Sequence, residues 1–191
     1  PLDGSVLRAF YIETTQAIRA VDQNHIIFIG GNSWSNDFSG LTPPWDSNLV
    51  YEFHKYWSYN DTESIQWVLD MQNQHNIPLW CGETGENSNV WYKDAMSLYE
   101  TNNIGWSCWP YKRIATTVAP YSVSSNPNYE AIINFWKGEG PEPSVASAMA
   151  GLNQLTDDIL LENNTFYKDV VDAYLRQPQD NTSIPYAEHT I

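Results

Sequence analysis

The sequence predicts an α/β fold built around a parallel sheet. Short apolar segments alternate with amphipathic segments of helical length, an order typical of strand–helix–strand units whose strands run parallel. The predicted strands are residues 25–29, 48–56, 77–82 and 104–109. The first is a continuous apolar run closed by Gly30 and Gly31, as expected of a strand that is buried on both faces. Crossover connections of one hand put the helices on the outer side of this four-stranded sheet.

The predicted helices carry their apolar residues at helical spacing. Val6, Leu7 and Phe10 belong to a helix over residues 5–21 that precedes the first strand. Further helices are predicted at residues 64–75, 91–99, 128–136, 144–161 and 167–175. Residues 177–191 are polar and contain proline. We therefore expect one domain over residues 1–176, followed by a linker or the start of another module.

Composition narrows the possible classes of function. With 23 acidic and 9 basic residues the net charge is -14, which repels phosphate backbones and anionic membrane surfaces, so neither nucleic acid nor a membrane is expected as a partner. No apolar run approaches the ~20 residues that span a bilayer. The two cysteines encode neither a disulfide framework nor a zinc site, and no metal or cofactor is predicted. The 9 Trp and 12 Tyr fit either core packing or stacking on sugar rings.

Glu83 is the sharpest catalytic candidate, because ligands of parallel α/β sheets gather at the carboxyl ends of the strands. It follows the third predicted strand and lies between Gly82 and Gly85, whose lack of side chains lets backbone and ligand approach closely. A partly desolvated carboxylate at this rim can act as a nucleophile or a general base. Spacing alone also allows a charge at a helix start or a solvated loop residue.

His54 and Tyr56 end the second predicted strand. Because side chains alternate along a strand, they share one face with Glu52, while Phe53 and Lys55 face the other way. If that face is the inner one, the imidazole and the phenol can hydrogen-bond the candidate nucleophile and hold its orientation. The alternative is a half-buried His and Tyr with other partners, and Glu52, deeper in the strand, is expected to be a structural polar group.

The same alternation makes a prediction for the cysteines. It puts Cys81 on the face of Glu83, and Cys108 on the face opposite Trp109. If Glu83 and Trp109 both point inward, the two cysteines point apart and do not pair.

Residues at the other strand ends are candidate substrate contacts. Asn32 follows the first strand after two glycines, and Trp109 ends the fourth. Trp34, Trp45 and Trp57 are predicted to lie in loops at the same rim. We interpret these aromatic residues as platforms for sugar rings, with loops that fold over their own aromatic side chains as the alternative.

Four ordered segments resemble glycoside hydrolase family 5, the cellulase-like retaining enzymes. They are residues 25–31 (HIIFIGG), 53–57 (FHKYW), 78–87 (PLWCGETGEN) and 105–110 (GWSCWP). The resemblance covers residues 1 to about 176 and implies strands five to eight of a (β/α)8 TIM barrel, with extra C-terminal helices. By this resemblance Glu83 matches the nucleophile, His54 and Tyr56 match the active-site His and Tyr, and Trp109 matches the aromatic floor beneath the reacting sugar.

The sequence departs from the family at the acid/base residue. The family uses the Glu of an Asn-Glu-Pro motif at the end of strand four, and no such triplet occurs here. Pro1 resembles the proline of that motif, and residues 185–191 resemble the lead-in to a carbohydrate-binding module. At 191 residues the chain is also shorter than the ~250 of a complete barrel. The resemblance thus implies half of a catalytic barrel, which supplies the nucleophile and lacks the acid/base.

The function implied for the intact protein is retaining hydrolysis of β-glycosidic bonds in plant polysaccharide. An endo-β-1,4-glucanase secreted by a bacterium fits best, although xyloglucan, mixed-linkage glucan and mannan enzymes share these motifs. The half barrel alone is expected to be nearly inactive, and to pair with its N-terminal half or with a second copy in a homodimer, because it exposes sheet edges and an apolar inner face. The alternatives are a non-catalytic carbohydrate-binding or self-assembling scaffold, and a structural fragment that binds nothing.

Overall fold

The computed structural model describes residues 3–175. The expectations for Pro1, and for residues 177–191 as a linker or the start of another module, lie outside the described residues. Within residues 3–175, no helix combines the length and the apolar character needed to cross a membrane.

A four-stranded parallel sheet forms the centre of the fold, as predicted. Its strands lie side by side in chain order and all run parallel. They are β1 (Ile27–Gly30), β2 (Leu49–His54), β3 (Leu79–Gly85) and β4 (Gly105–Trp109). Within the described residues β1 and β4 have no further strand partner. Both edges of the sheet therefore carry backbone groups that are not paired with another strand.

Six helices of the described residues lie within a few residues of their predicted positions. They are α1 (Gly4–Arg19), α3 (Thr62–His75), α4 (Asn89–Thr101), α5 (Pro127–Lys137), α6 (Val145–Asp158) and α7 (Lys168–Leu175), and the additional single turn α2 (Asn32–Ser35) contains Trp34, which the sequence places in a loop. Short polar side chains cap the helix starts by accepting a backbone N–H, as Asp61 does from Ser64 in α3. Asn76 and Gly138 adopt the left-handed conformation that ends α3 and α5.

The main core lies between the outer face of the sheet and helices α3 and α4. Tyr51 and Phe53 of β2 are fully buried there, in one cluster with Val68 of α3 and Tyr99 of α4. The rings of Phe53 and Tyr99 meet edge to face, with their centroids 6.3 Å apart. Burial of each such side chain stabilises the fold by about 1.5–3 kcal/mol. Since β2 turns these residues toward the helices, Glu52 lies on the inner face of the sheet, as the alternation predicts.

The inner face of the sheet is only partly covered. Phe28 of β1 is 50% exposed and meets Trp80 of β3 edge to face, with ring centroids 5.8 Å apart. Trp80 lies over Gly105 of β4, where a Cβ would come within 2.2 Å of the indole ring. Only glycine therefore leaves room for the indole at that position. A strip of aromatic surface remains open to solvent on this face.

A second sheet of three short strands was not predicted. β5 (Lys112–Ile114) pairs parallel with β6 (Tyr121–Val123), and β6 pairs antiparallel with β7 (Thr165–Phe166). Strands of two or three residues are too short to show an alternating pattern. Sequence periodicity therefore could not reveal this sheet.

The helices that follow β4 pack in two groups. α5 packs on α6, where a Cβ on Gly151 would come within 2.7 Å of the backbone of Asn128 and Tyr129, so the two helices approach closely only because residue 151 is glycine. α7 packs on α4, and the ring of Tyr174 stacks on that of Tyr92 with centroids 4.3 Å apart. The helices predicted beyond the last strand of the central sheet are thereby confirmed.

Candidate active site

Glu83 lies on β3 with its side chain 36% exposed on the inner side of the sheet. The hydroxyl of Tyr56 donates a hydrogen bond to its Oε2 atom at 3.1 Å. Nδ1 of His54 lies 3.4 Å from the same oxygen. The structure therefore brings together the three residues that the sequence singles out as the centre of the site, and His54 is the register partner of Glu83 across the two strands.

A bulge in β3 turns Glu83 inward. The pairing of β3 with β4 shifts between Cys81 and Thr84, and both of these side chains are fully buried on the helix side. The hydroxyl of Thr84 lies 3.1 Å from that of Tyr99 in α4. Regular alternation would have put Glu83 on the side of Cys81, so the prediction that these two share a face is wrong. Both cysteines are free thiols, and burial raises the pKa of Cys81 to about 12.

The two glycines that flank Glu83 leave space for neighbouring strands. A Cβ on Gly82 would lie 1.9 Å from Oε1 of Glu52 on β2. Gly85 has φ 153°, and a Cβ there would lie 2.1 Å from the carbonyl oxygen of Trp109. Both glycines therefore make room for neighbouring parts of the protein, which at Gly85 is the close approach of backbone that the sequence predicts.

Tyr56 is held as a neutral phenol. Burial, together with the nearby Glu83 carboxylate, raises the pKa of Tyr56 far above its usual range. The hydroxyl therefore keeps its proton at all ordinary pH values and remains a donor to Glu83. Such a donor helps to orient the carboxyl group of Glu83.

Lys55 anchors the turn that carries Tyr56 and Trp57. Its side chain points to the helix side of the sheet, as predicted, and is buried. Its ammonium group donates to the carbonyl of Tyr59 at 3.0 Å and to Oδ1 of Asn60 at 2.8 Å. Burial lowers the pKa of Lys55 to about 8. The sequence signal for this role is a lysine at a position where β2 otherwise turns apolar side chains into the core.

A cleft of about 520 Å³ opens beside Glu83. Its walls include His54, Tyr56 and Trp57 from β2 and the following turn, and Trp34 from α2. Trp34 is 86% exposed and Trp57 is 71% exposed. Both have a left-handed backbone, with φ 55° and 52°, which is a strained conformation for residues other than glycine. Two aromatic side chains that are open to solvent therefore lie beside the carboxyl group of Glu83.

Trp45 lies outside the lining of this cleft and packs on α1, whereas its contact with substrate stays a prediction. Its indole N–H donates to the hydroxyl of Thr15 in α1 at 3.0 Å. Its ring stacks on that of Tyr11, and the guanidinium of Arg8 lies 5.0 Å from its centroid. The ring packs against helix α1 because burial of its apolar surface is more favourable than exposure of that surface to water. The sequence shows only that Trp45 lies in a loop, so it could not distinguish packing on α1 from a position at the rim formed by the strand ends.

Trp109 and Asn32 lie at strand ends but outside the lining of the cleft. The side chain of Trp109 is 51% exposed at the end of β4, where the residue pairs with Gly85 of β3. The backbone N–H of Asn32 donates to the carbonyl of Asp37 at 2.7 Å and closes the α2 turn. Trp109 therefore lies beside the strand that carries Glu83. The backbone N–H of Asn32, in contrast, makes a structural contact.

A family model matches residues 4–113, more than half of the chain, and its description is Cellulase (glycosyl hydrolase family 5). The match includes all four strands of the parallel sheet and the residues around Glu83. The chain belongs to glycosyl hydrolase family 5. The resemblance carried by the four ordered segments is thereby confirmed.

Two curated relatives of this family 5 chain are endoglucanases. Endoglucanase C of Acetivibrio thermocellus is 22% identical, and the match covers 64% of this chain and 53% of the relative. Endoglucanase C307 of Clostridium sp. (strain F1) matches with the same identity and coverage. The chain thus spans about half the length of the curated relatives it matches.

Solved structures support the fold of the family 5 chain. The cellulose synthase subunit Z (CcsZ) of Clostridioides difficile has a TM-score of 0.57 at 16% identity, over 91% of this chain and 56% of that protein. Endoglucanase Cel5A of Thermotoga maritima has a TM-score of 0.53 at 19% identity, over 63% of this chain and 50% of that protein. At such identities the likeness concerns the α/β fold with a parallel sheet.

Proposed function

We propose that this chain supplies the catalytic nucleophile, Glu83, of a retaining endo-β-1,4-glucanase. The observation that carries the proposal is the set of contacts at Glu83: a strand-end carboxylate that accepts a hydrogen bond from Tyr56 and lies against His54, beside a cleft with two exposed tryptophans. Membership of family 5 and the endoglucanase relatives support the reaction class. The intact protein is proposed to be secreted by a bacterium.

The contacts at Glu83 suggest which oxygen attacks. Tyr56 and His54 both contact Oε2, so neither of them occupies Oε1. In the proposed reaction Oε1 of Glu83 bonds to the anomeric carbon, while the bond from that carbon to the leaving oxygen breaks and the leaving oxygen takes a proton from a carboxylic acid. Water then attacks the same carbon, gives its proton to that second carboxylate, and releases Glu83 from the ester.

The second carboxyl group has to lie roughly 5–5.5 Å from the nucleophile in a retaining enzyme. Two other glutamates near the site are engaged elsewhere: Glu52 with His54 and Ser35, and Glu86 with Arg113. Both carboxylates are therefore poor acids for the leaving group. We propose that the acid/base residue comes from a part of the barrel outside residues 3–175.

The fold also supports completion of the barrel by another part of the protein or by a second chain. Two sheet edges have no strand partner within residues 3–175, and an aromatic strip lies at Phe28 and Trp80. Both features support a half barrel, strands five to eight, that is completed by an N-terminal half or by a second copy of the chain. The isolated 191-residue chain should then sediment as a dimer or larger species. Its activity on β-glucan should be at least about 100-fold below that of the completed barrel. A monodisperse monomer would contradict this assembly.

Mechanism-based labelling tests the nucleophile. A 2-deoxy-2-fluoro-β-cellobiosyl fluoride loses fluoride without protonation, so the labelling step depends on the nucleophile and not on the acid. In the full-length protein we expect one covalent label on the peptide that contains Glu83. Glu86→Gln, which changes a neighbouring carboxylate paired with Arg113, should still be labelled, whereas Glu83→Gln should not. A label on another residue refutes the proposed role.

Glu83→Gln also separates catalysis from binding alone. We expect the full-length variant to lose hydrolysis of β-1,4-glucan and to keep its affinity for cello-oligosaccharides, measured by calorimetry. Unchanged hydrolysis in this variant would refute the role of Glu83, whereas a wild-type protein that binds cello-oligosaccharides without hydrolysing them would favour the alternative of a carbohydrate-binding scaffold. The tryptophans of the cleft, Trp34 and Trp57, are the proposed contacts for sugar rings in either case.

A further inference from the structure

A second carboxylate lies behind His54, and the proposed reaction does not use it. Glu52 precedes His54 by two residues on β2, and its side chain is 19% exposed. Its Oε1 lies 2.6 Å from Nε2 of His54. Its Oε2 accepts a hydrogen bond from the hydroxyl of Ser35 at 3.0 Å. Both oxygens of Glu52 therefore have a partner, and one partner is a residue of the site.

Two neighbouring strands leave space for this carboxylate. On β3 a Cβ at Gly82 would lie 1.9 Å from Oε1 of Glu52, and on β1 a Cβ at Gly30 would lie 3.1 Å from Oε2. Any side chain at residue 82 would displace the carboxylate. Glycines on both neighbouring strands thus leave space for the Glu52 carboxylate. A carboxylate that extends into solvent would not need this space.

The contact between Glu52 and His54 decides which ring nitrogen carries a proton. An ionised carboxylate only accepts hydrogen bonds, so a separation of 2.6 Å requires a proton on Nε2 of His54. The ring then turns Nδ1 toward Oε2 of Glu83, 3.4 Å away. The hydrogen bond at Nε2 thereby fixes the orientation of the ring, and with it the direction in which Nδ1 points.

We propose that Glu52 is a positioning residue that holds His54 through its Nε2–H, so that Nδ1 faces the nucleophile. The proposal rests on the proposed function of Glu83. Without the acceptor, the ring can rotate and exchange its tautomer, and for part of the time Nδ1 no longer faces Oε2 of Glu83. Ser35 fixes the second oxygen of Glu52 and so keeps the acceptor in place.

Two substitutions of Glu52 in the full-length protein test this role. Glu52→Leu keeps the approximate size and removes the acceptor, whereas Glu52→Gln keeps an acceptor oxygen and removes the charge. The readouts are the ring ¹⁵N signals of His54 by NMR, assigned from their loss in His54→Asn, and kcat and KM on cello-oligosaccharides. We expect a protonated Nε2 in the wild type and in Glu52→Gln. In Glu52→Leu we expect averaged ring signals and a kcat lower by about 10–100-fold, the usual cost of removing such a supporting contact, with KM changed less than kcat.

Several results would overturn the proposal. An unprotonated Nε2 in the wild type would do so without any variant, and it therefore decides the matter even if Glu52→Leu fails to fold. A wild-type kcat in Glu52→Leu, or a lower kcat with unchanged ring signals, would also do so, since a merely structural role leaves the tautomer alone. The NMR arm needs no substrate. If the fluoroglycoside labels a residue other than Glu83 while the ring signals respond as expected, the proposed function fails and the coupling of Glu52 to His54 stands.

Discussion

Replacing Gly82 with alanine tests whether the sheet is built around the Glu52 carboxylate. A Cβ at residue 82 would lie 1.9 Å from Oε1 and 2.4 Å from Cδ of Glu52. Nonbonded heavy atoms need about 3.5 Å, so the carboxylate must withdraw by roughly 1.5 Å. That movement breaks its 2.6 Å contact with His54. A misplacement of about 1 Å near a catalytic group can cost about 100-fold in rate, and overpacking costs about 1–3 kcal/mol of unfolding free energy.

The assay combines kcat on cello-oligosaccharides with urea unfolding of the full-length protein. We expect Gly82→Ala to lower kcat by about 100-fold and the free energy of unfolding by about 1–3 kcal/mol. Gly140→Ala is the matched control, because a Cβ there meets Asn134 at an ordinary 3.4 Å. In the double variant with Glu52→Ala the losses of stability should not add, since the clash is gone, while the rate stays low. A wild-type rate in Gly82→Ala, or fully additive losses of stability, would refute the steric reasoning.

Three further predictions concern the walls of the site. Tyr56→Phe removes the donor to Glu83, and a hydrogen bond to a charged group is worth about 1.5–3 kcal/mol, so kcat/KM should fall by roughly 10–100-fold; an unchanged value would contradict the role of the phenol. Trp34→Ala and Trp57→Ala should each weaken the binding of cello-oligosaccharides by about 2–10-fold, as expected for the loss of an aromatic contact. Calorimetry checks this, and an unchanged Kd would remove either tryptophan from the binding surface. The pKa of Lys55 is about 8 in the folded protein, against an ordinary value of 10.5. Between pH 8 and pH 10.5 the unfolded chain therefore binds more protons at this residue than the folded protein does. The free energy of unfolding should rise with pH over this range. Lys55→Met should abolish that rise in unfolding free energy, and a variant with the same pH dependence as the wild type would show that the buried ammonium is not its source.

The parallel sheet could be predicted because its strands are read from local patterns. The run of residues 26–29 has no polar interruption, and the alternation in β2 correctly separates Phe53 and Lys55 from Glu52 and His54. The positions at which strands end were predicted less accurately. β3 continues to Gly85 rather than ending at Gly82, because its pairing with β4 resumes at Thr84 and Cys108. A glycine ends a strand in a sequence pattern, but the partner strand decides where the hydrogen bonds stop.

Side-chain contacts between different helices, strands and loops could not be predicted from the sequence. Trp45 and Trp34 both lie in the long connection between β1 and β2, yet Trp45 packs on α1 and Trp34 is 86% exposed. The difference depends on which helix face each ring can reach, and that is a property of the assembled fold. The space that Gly82 leaves for Glu52 is likewise a contact between strands. No pattern within either strand contains it.

The site itself depends on a local exception to strand alternation. If β3 were regular, Glu83 would share the face of Cys81 and point into the core, where an unpaired carboxylate costs several kcal/mol. The bulge instead sends Thr84 to the core, within 3.1 Å of the Tyr99 hydroxyl, and sends Glu83 to the side of His54. Bulges are frequent beside active sites because they re-aim one side chain without disturbing the rest of the strand. Glu83 could therefore be singled out as a candidate from its sequence context, whereas the direction of its side chain depends on the backbone of the assembled sheet.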